Sequence, residues 1–138
     1  MRVRMAGLVM IFLGLVGVDQ SSKFLVSRLN FSWFPVFCNR GIAFGLNVPA
    51  TVFISLWVVA IITIWVIWRS FEKLPDITAL EQLSFVAILA GAASNMFDRL
   101  IHGCVVDFMH VSIFPAFNLA DIYISLAVLI LLVKRARI

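Results

Sequence analysis

Two aspartates in the C-terminal part of the sequence could act together as an acid and a base. Asp107 and Asp121 have no lysine or arginine within four residues. If the fold brings their carboxyl groups together in a pocket of low dielectric constant, both cannot easily be ionised, and the pair shares one proton. The ionised carboxylate can then take a proton from water while the protonated carboxyl polarises a scissile carbonyl. This pattern predicts an aspartic hydrolase that requires no metal and no organic cofactor.

Two further aspartates have basic residues close to them in sequence. Asp19 and Lys23 stand four residues apart, a spacing that lets them pair on one face of a helix. Asp98 directly precedes Arg99, and we expect these two to pair as well. Both aspartates are therefore expected to be ionised and to have structural roles, which leaves the first pair for catalysis.

Other catalytic chemistries lack their usual sequence patterns. The chain has no HExxH zinc motif and no GxSxG nucleophile elbow. Cys38 and Cys104 do not have the spacing of a dithiol or metal site. Both cysteines are expected on the outer side of the membrane, which would permit a disulfide, but we expect free thiols.

The composition indicates what kind of protein must position these residues. Of the 138 residues, 63% are hydrophobic and 13% are charged, against about 45–50% and about 25% in soluble domains. The mean hydropathy of +1.09 would give a soluble protein of this size an apolar, aggregating surface. The net charge of +4 comes from scattered bases, without the basic run that would indicate nucleic-acid binding. We expect a single integral membrane domain, residues 1–138.

Charge-free runs predict the membrane-spanning segments. A spanning helix needs about 20 residues, and the chain has room for four. We therefore predict an all-α integral membrane protein with transmembrane helices at about residues 5–25, 50–68, 82–101 and 117–133. The first segment resembles a signal peptide but lacks a small-residue cleavage site, so we expect it to be retained as a helix.

The distribution of charge predicts the orientation of these helices. With both termini cytoplasmic, the inner side carries seven lysines and arginines and the outer side carries four. The inner linker is then residues 69–81, and the outer connections are residues 30–49 and 102–116. The aromatic, turn-rich segment 30–49 is expected to form a small extracytoplasmic β-rich unit between helices 1 and 2. Four of the seven acids map to the outer side, and ionisable groups within membrane depth indicate a functional site.

Five blocks of sequence resemble lipoprotein signal peptidase, the signal peptidase II family of bacterial membrane aspartic proteases. In order along the chain they are VDQSSK (18–23), NRGIAFG (39–45), GAASNMFDR (91–99), GCVVDF (103–108) and FNLAD (117–121). The resemblance implies that Asp107 and Asp121 form the catalytic dyad. It also implies substrate-binding or supporting roles for a larger set: Asp19, Lys23, Asn39, Gly41, Ala43, Phe44, Asn95, Asp98, Arg99, Asn118 and Ala120.

The resemblance also implies a substrate and a location. That family removes the signal peptide from prolipoproteins whose lipobox cysteine already carries diacylglycerol, and it cuts just before that cysteine. The implied partners are these prolipoproteins and membrane lipids, and the implied location is the bacterial inner membrane, with the active site at the outer leaflet. We expect a monomer. Ala92 and Ser94 stand where relatives often have glycine, and Ile42 stands where a small residue is common, but these departures leave the dyad intact.

Two other functions could use the same acids. A small proton- or cation-coupled carrier would use them as a relay, but the predicted second helix is apolar and offers no path to the inner side. A non-catalytic assembly subunit would not need two acids without basic partners. The sequence therefore favours a membrane aspartic endopeptidase.

Overall fold

The protein is mostly helical and has one small β-sheet. The computed structural model describes residues 3–29, 35–41, 50–72, 77–112 and 114–136. The elements in these residues are α1 (Met5–Leu29), β1 (Phe37–Asn39), α2 (Ala50–Glu72), α3 (Ala79–His102), β2 (Val105–Asp107) and α4 (Leu119–Ala136).

Helix α3 is the central element, and it packs against both α4 and α1. Gly91 allows the close approach of α4, because a Cβ atom at this position would stand 2.7 Å from the backbone oxygen of Ala120. The first turn of α4 therefore rests directly on the middle of α3. Helix α2 meets α3 through the indole of Trp68, which packs edge-on against Phe85 with ring centroids 5.8 Å apart.

Both ends of α3 are fixed by local sequence. At its start, the Thr78 hydroxyl accepts the backbone N–H of Glu81, and the Glu81 carboxylate accepts the backbone N–H of Thr78, which is a capping box. At its end, Gly103 adopts a left-handed conformation with φ of 71° and donates its N–H to the carbonyl of Arg99. A residue without a Cβ adopts this conformation easily. The turn at Gly103 passes the chain directly into β2.

The side chains are distributed in the opposite way to those of a water-soluble domain. Met10 and Leu100 are each 70% exposed, whereas Asp19 and Asn118 are completely buried. Lipid around the protein accounts for this arrangement, because apolar side chains face hydrocarbon at no cost while ionisable groups turn inward to find partners. Among the described residues, α1 and α3 are long and apolar enough to cross a membrane.

The sheet joins two segments that are far apart in sequence. Strands β1 and β2 pair antiparallel, with Phe37 opposite Asp107 and Cys38 opposite Val106. We expected β-structure between the first two helices, and β1 lies there, but the strand that pairs with it in the described residues comes from the connection between α3 and α4. A strand must pair its backbone groups, and the partner can come from any segment at the same end of the bundle.

A disulfide joins Cys38 to Cys104 beside this sheet. Our expectation of free thiols was therefore wrong. The antiparallel register brings the two Cα atoms to 5.4 Å, within the range that a disulfide can bridge. The residues are separated by 66 positions in sequence, so only the pairing of the strands reveals their proximity.

Candidate active site

The two aspartates predicted to be catalytic lie in neighbouring elements. Asp107 is the last residue of β2, and Asp121 lies in the first turn of α4. Between them the chain folds back on itself, because Met109 and Phe117 exchange backbone hydrogen bonds of 2.9 Å in both directions. This reversal returns the chain to the end of β2 just before α4 begins, and it brings the two aspartates to the same place.

Asn118 connects the two carboxyl groups. Its backbone N–H donates to Asp121 Oδ2 at 3.1 Å, and its side-chain Nδ2 donates to Asp107 Oδ1 at 2.7 Å. Its Oδ1 accepts the backbone N–H of Asp121, also at 3.1 Å. Asn118 and Asp121 thus exchange side-chain and backbone hydrogen bonds as the two residues of a capping box do. The cap that starts α4 also holds the two carboxyl groups in a fixed relation.

Asn95 holds Asp121 from the side of α3. Its Nδ2 donates to Asp121 Oδ1 at 2.9 Å. Its Oδ1 accepts from Lys23 Nζ at 2.9 Å and from Asn118 Nδ2 at 3.1 Å. Because an ammonium group can only donate, Lys23 fixes which end of the Asn95 amide is the oxygen. The amide must then present its N–H groups to Asp121.

Asp107 is held from the opposite side and is almost fully buried, with 2% of its surface exposed. Its Oδ2 accepts from Asn39 Nδ2 at 3.0 Å. Burial raises the pKa of Asp107 above its ordinary value, and the charge of Asp121 raises it further, whereas the hydrogen bonds from Asn39 and Asn118 act in the opposite direction. The net rise favours a protonated Asp107 beside Asp121.

A buried cluster of ionised side chains lies next to the site and contacts it through Asn95. Lys23 Nζ lies 2.7 Å from Asp19 Oδ2 and 2.8 Å from Asp98 Oδ2, and all three side chains are nearly inaccessible. The predicted pairing of Asp19 with Lys23 is confirmed. Asp98 forms an ion pair with Lys23 of α1, and its charge also interacts with the neighbouring Arg99. Successive side chains on a helix point about 100° apart, so Asp98 and Arg99 face different neighbours.

Asp19 also attaches α1 to the start of α4. Its Oδ1 accepts the backbone N–H of Ala120 at 2.9 Å. This N–H belongs to the first turn of α4, where backbone donors have no acceptor within the helix. Ala120 contributes to the site through its backbone and is completely buried. Asp19 is therefore a structural carboxylate, as its pairing with Lys23 predicted.

Two polar residues belong to this network although the sequence analysis did not place them in the site. Gln20 Nε2 donates to Asp98 Oδ1 at 2.8 Å and to Ser94 Oγ at 2.9 Å. Ser94 Oγ in turn donates to Asp19 Oδ2 at 2.6 Å. The signal was present in the sequence, since both residues are polar and stand in blocks that also contain site residues.

Among the described residues of the NRGIAFG block, Asn39 and Gly41 contact the site. Asn39 Oδ1 accepts the backbone N–H of Gly41 at 3.0 Å, and Arg99 Nη2 donates to the carbonyl of Gly41 at 2.9 Å. The positive charge of Arg99 also interacts with both Asp107 and Asp121. Arg99 thus connects α3 to the segment after β1. Ala43 and Phe44 lie outside the described residues, as does Ile42.

The chemistry available at this site is that of a pair of carboxyl groups. In the part of the chain that the structure describes, no group of three or more His, Cys, Asp or Glu side chains is arranged to hold a metal ion. A carboxyl pair that shares a proton can activate water with one member and polarise a carbonyl with the other. The site can therefore perform acid and base catalysis of hydrolysis.

Comparison with known proteins identifies the family. The family model described as "Signal peptidase (SPase) II" matches residues 11–137 of the chain. The chain belongs to the signal peptidase II family. It is thus a membrane hydrolase of the family whose members act on lipoprotein precursors, and the resemblance inferred from the five sequence blocks is confirmed.

Individual relatives in this family are 32–38% identical to the chain over the aligned residues. The lipoprotein signal peptidase of Moorella thermoacetica is 38% identical over 129 residues, which cover 84% of this chain and 83% of that protein. The lipoprotein signal peptidase of Streptococcus pneumoniae is 32% identical over 136 residues, 89% of this chain and 88% of that protein. That of Caldicellulosiruptor bescii is 38% identical over 95 residues, 67% of this chain but only 59% of that protein.

Two solved structures described as bacterial membrane enzymes have the same fold as this chain. One superimposes with a TM-score of 0.80 at 23% identity and covers 99% of this chain and 91% of the other. The second gives a TM-score of 0.76 at 24% identity, with coverage of 96% and 94%. At this level of identity the match establishes that the fold is shared.

Proposed function

We propose that this signal peptidase II removes signal peptides from diacylglyceryl-modified prolipoproteins by cutting before the lipidated cysteine, with Asp107 and Asp121 as the catalytic pair. The observation that carries the proposal is the double role of Asn118. Its backbone N–H holds Asp121 while its side-chain amide holds Asp107. Two carboxyl groups fixed by one residue are preorganised for proton exchange with a water and a peptide bond between them.

The two aspartates have different roles in the proposed mechanism. Asp107 keeps the shared proton, because burial raises its pKa, and its O–H polarises the scissile carbonyl. Asp121 is ionised and takes a proton from the attacking water, whose oxygen adds to the carbonyl carbon. When the resulting tetrahedral intermediate collapses, the C–N bond breaks and a proton passes from the pair to the leaving amine. The products are the signal peptide with a free carboxylate and the lipoprotein with a free amino group.

The remaining supporting residues hold this pair in place. Asn39 and Asn95 each donate to one of the two carboxyl groups. Lys23, Asp19 and Asp98 form the ion cluster that orients Asn95 and ties α1, α3 and α4 together. For Arg99, Gly41, Ala43 and Phe44 we propose a role in binding the substrate.

The proposed placement in the membrane follows from charge and surface. All four helices span the inner membrane, both termini are cytoplasmic, and the catalytic pair lies at the outer leaflet. The distribution of lysines and arginines supports this orientation. The hydrophobic part of a signal peptide could then lie along the apolar helix surfaces, with its cleavage site at the depth of Asp107 and Asp121. We also propose that the active form is a monomer.

A pair of matched substrates tests this proposal. Purified protein in detergent is incubated with a prolipoprotein that carries diacylglycerol on its lipobox cysteine and with the same polypeptide without lipid. We expect cleavage of the lipidated substrate only, and a loss of about 10³-fold or more in kcat for the D107N variant. Thermal unfolding verifies that D107N is folded.

Full activity of folded D107N, or ion uptake into proteoliposomes without cleavage, would overturn the proposal. The latter outcome would instead support a carrier, which the comparisons do not favour.

A further inference from the structure

The disulfide between Cys38 and Cys104 stands next to the proposed catalytic pair. Cys38 is the middle residue of β1, and Cys104 directly precedes β2, the strand that ends at Asp107. The crosslink therefore covalently joins a strand that has no catalytic aspartate to the strand that has one.

The register of the strands connects the disulfide to the site through Asn39. Side chains alternate along a strand, so the side chains of Phe37 and Asn39 lie on one face of β1 and that of Cys38 lies on the other. Phe37 is directly opposite Asp107, which places Asn39 on the same face as the aspartate. Accordingly, Asn39 Nδ2 donates to Asp107 Oδ2 at 3.0 Å. The disulfide and the hydrogen bond from Asn39 to Asp107 therefore lie on opposite faces of the same short sheet.

The sheet alone is a weak means of holding Asn39 in place. Each strand has three residues, and isolated two-stranded ribbons are marginally stable. The strands belong to connections separated by 66 residues between the cysteines, so their pairing must overcome the entropy of closing a long loop. The bond from Arg99 to the carbonyl of Gly41 adds one further attachment. The disulfide removes most of the freedom that β1 would have to move away from β2.

We propose that the Cys38–Cys104 disulfide is a positioning element of the active site, which holds the Asn39 amide against Asp107 during catalysis. The inference rests on the proposed catalytic role of Asp107. Cys38 and Cys104 act through Asn39 and do not touch the reacting atoms. The chemical consequence is specific, because a neutral amide donor that is held against a carboxyl group stabilises its ionised form.

The electrostatic surroundings of Asp107 give this proposal a measurable signature. Among the described residues, the charged groups that act on Asp107 are Asp121, Lys23 from α1 and Arg99 from α3. Lys23 and Asp121 are not bonded to β1 and stay in place when the disulfide is reduced, whereas the Asn39 hydrogen bond, which lowers the pKa of Asp107, is weakened. Release of Gly41 from Arg99 acts in the same direction, because it loosens a positive charge near Asp107. The pKa of Asp107 should then rise, and the pH profile of kcat should move to higher pH. A disulfide that only stabilised the fold would leave the profile in place.

The test compares oxidised protein, protein reduced with dithiothreitol, and the C38A/C104A variant, all in detergent with the lipidated substrate. Cys38 is exposed, so the reductant can reach the bond, and a thiol count verifies reduction. We expect kcat to fall by about 10-fold in both reduced and C38A/C104A protein, with the pH profile moved to higher pH. Reoxidation of the reduced protein with oxidised glutathione should restore both quantities.

A double-mutant cycle with N39A separates positioning from stability. The N39A variant should show the same fall in kcat and the same direction of shift, and adding C38A/C104A to N39A should have little further effect on either. Unchanged kcat and profile after reduction would overturn the inference, as would a lowered Tm with an unchanged profile, or effects of N39A and C38A/C104A that simply add. A fully active D107N protein would overturn the proposed function instead. If D107N is inactive but reduction and C38A/C104A leave kcat and its pH profile unchanged, only this inference is overturned.

Discussion

The first turns of α3 and α4 are built in the same way but have different uses. In α3, Thr78 and Glu81 exchange hydrogen bonds between side chain and backbone, at 2.8 Å and 3.3 Å. In α4, Asn118 and Asp121 make the corresponding exchange, with both distances at 3.1 Å. Each pair is separated by three residues, and each satisfies backbone N–H groups that have no acceptor within the helix.

The two caps differ in what else their side chains contact. At α3, the Thr78 hydroxyl accepts from Lys134 Nζ at 2.7 Å, a contact that joins the start of α3 to the end of α4. At α4, Asn118 has an amide with spare donors, and one of them reaches Asp107 at 2.7 Å. A cap thus becomes part of an active site when its residue has a donor left over and a second carboxyl group lies opposite. The cap also immobilises Asp121 at little cost in side-chain entropy, because that bond already stabilises the helix.

The largest expected difference between the two caps is in catalysis. In each cap, the acid that stands three positions after the capping residue can be replaced by its amide, which gives the matched pair D121N and E81Q. We expect kcat of D121N to fall by about 10³-fold or more, because the base is lost, while E81Q stays within about twofold of the unchanged protein. Cleavage of the lipidated substrate measures both. If D121N cleaves the substrate as fast as E81Q and the unchanged protein, the α4 cap has no catalytic role.

Replacing the capping residues Asn118 and Thr78 should produce a smaller difference in kcat. Removing the Asn118 side chain in N118A releases both the cap and Asp107, so we expect kcat to fall by about 10²-fold. The Asn118 amide lowers the pKa of Asp107, so its loss should raise that pKa and move the residual pH profile to higher pH. In T78A, the profile should stay where it is. A pH titration of kcat for both variants checks the comparison, and a shift in T78A alone would contradict it.

The position of the α4 cap should depend on the glycine beneath it. In G91A, the new methyl group would meet the carbonyl of Ala120, so we expect α4 to be displaced and the protein to lose about 1–3 kcal/mol of stability. The matched control is G17A, since a Cβ at Gly17 meets no atom within 4 Å and alanine favours a helix by up to about 1 kcal/mol. Thermal unfolding in detergent compares the two. A G91A protein as stable as G17A would show that α3 and α4 can separate freely.

The smallest expected effect is the structural cost of the α3 cap. T78A should destabilise the protein by about 1 kcal/mol, which is the usual cost of losing a threonine cap. Its kcat should stay within about twofold, because the cap lies at the opposite end of α3 from the catalytic pair. Thermal unfolding and a cleavage assay on the same sample measure both quantities. A large loss of activity without a loss of stability would be inconsistent with a purely structural cap.

The scarcity of charge in the sequence predicted the helical character and singled out the two aspartates that Asn118 connects in the structure. In a chain with so few ionisable residues, each aspartate stands out, and the lack of a nearby base separated Asp107 and Asp121 from Asp19. Pairing within one helix was also predictable, since Asp19 and Lys23 are one turn apart. Such local relations depend on helical geometry alone, which does not change with the tertiary fold.

Ion pairs and hydrogen bonds between segments far apart in sequence could not be predicted from spacing along the chain. Adjacency in sequence pointed to Arg99 as the neighbour of Asp98, but only the packing of α1 against α3 reveals its ion pair with Lys23. The roles of Gln20 and Ser94 depend on the same packing.

By itself, the sequence determined a membrane protein of apolar helices, the spacing of its polar residues and two aspartates without basic partners. The tertiary structure alone decided that β1 pairs with β2, that Cys38 bonds to Cys104, and that Asn118 joins the two carboxyl groups. The physical reason is that composition and periodicity depend on neighbours along the chain. Strand pairing, disulfides and shared hydrogen bonds depend instead on which distant segments the helices bring to the same end of the bundle.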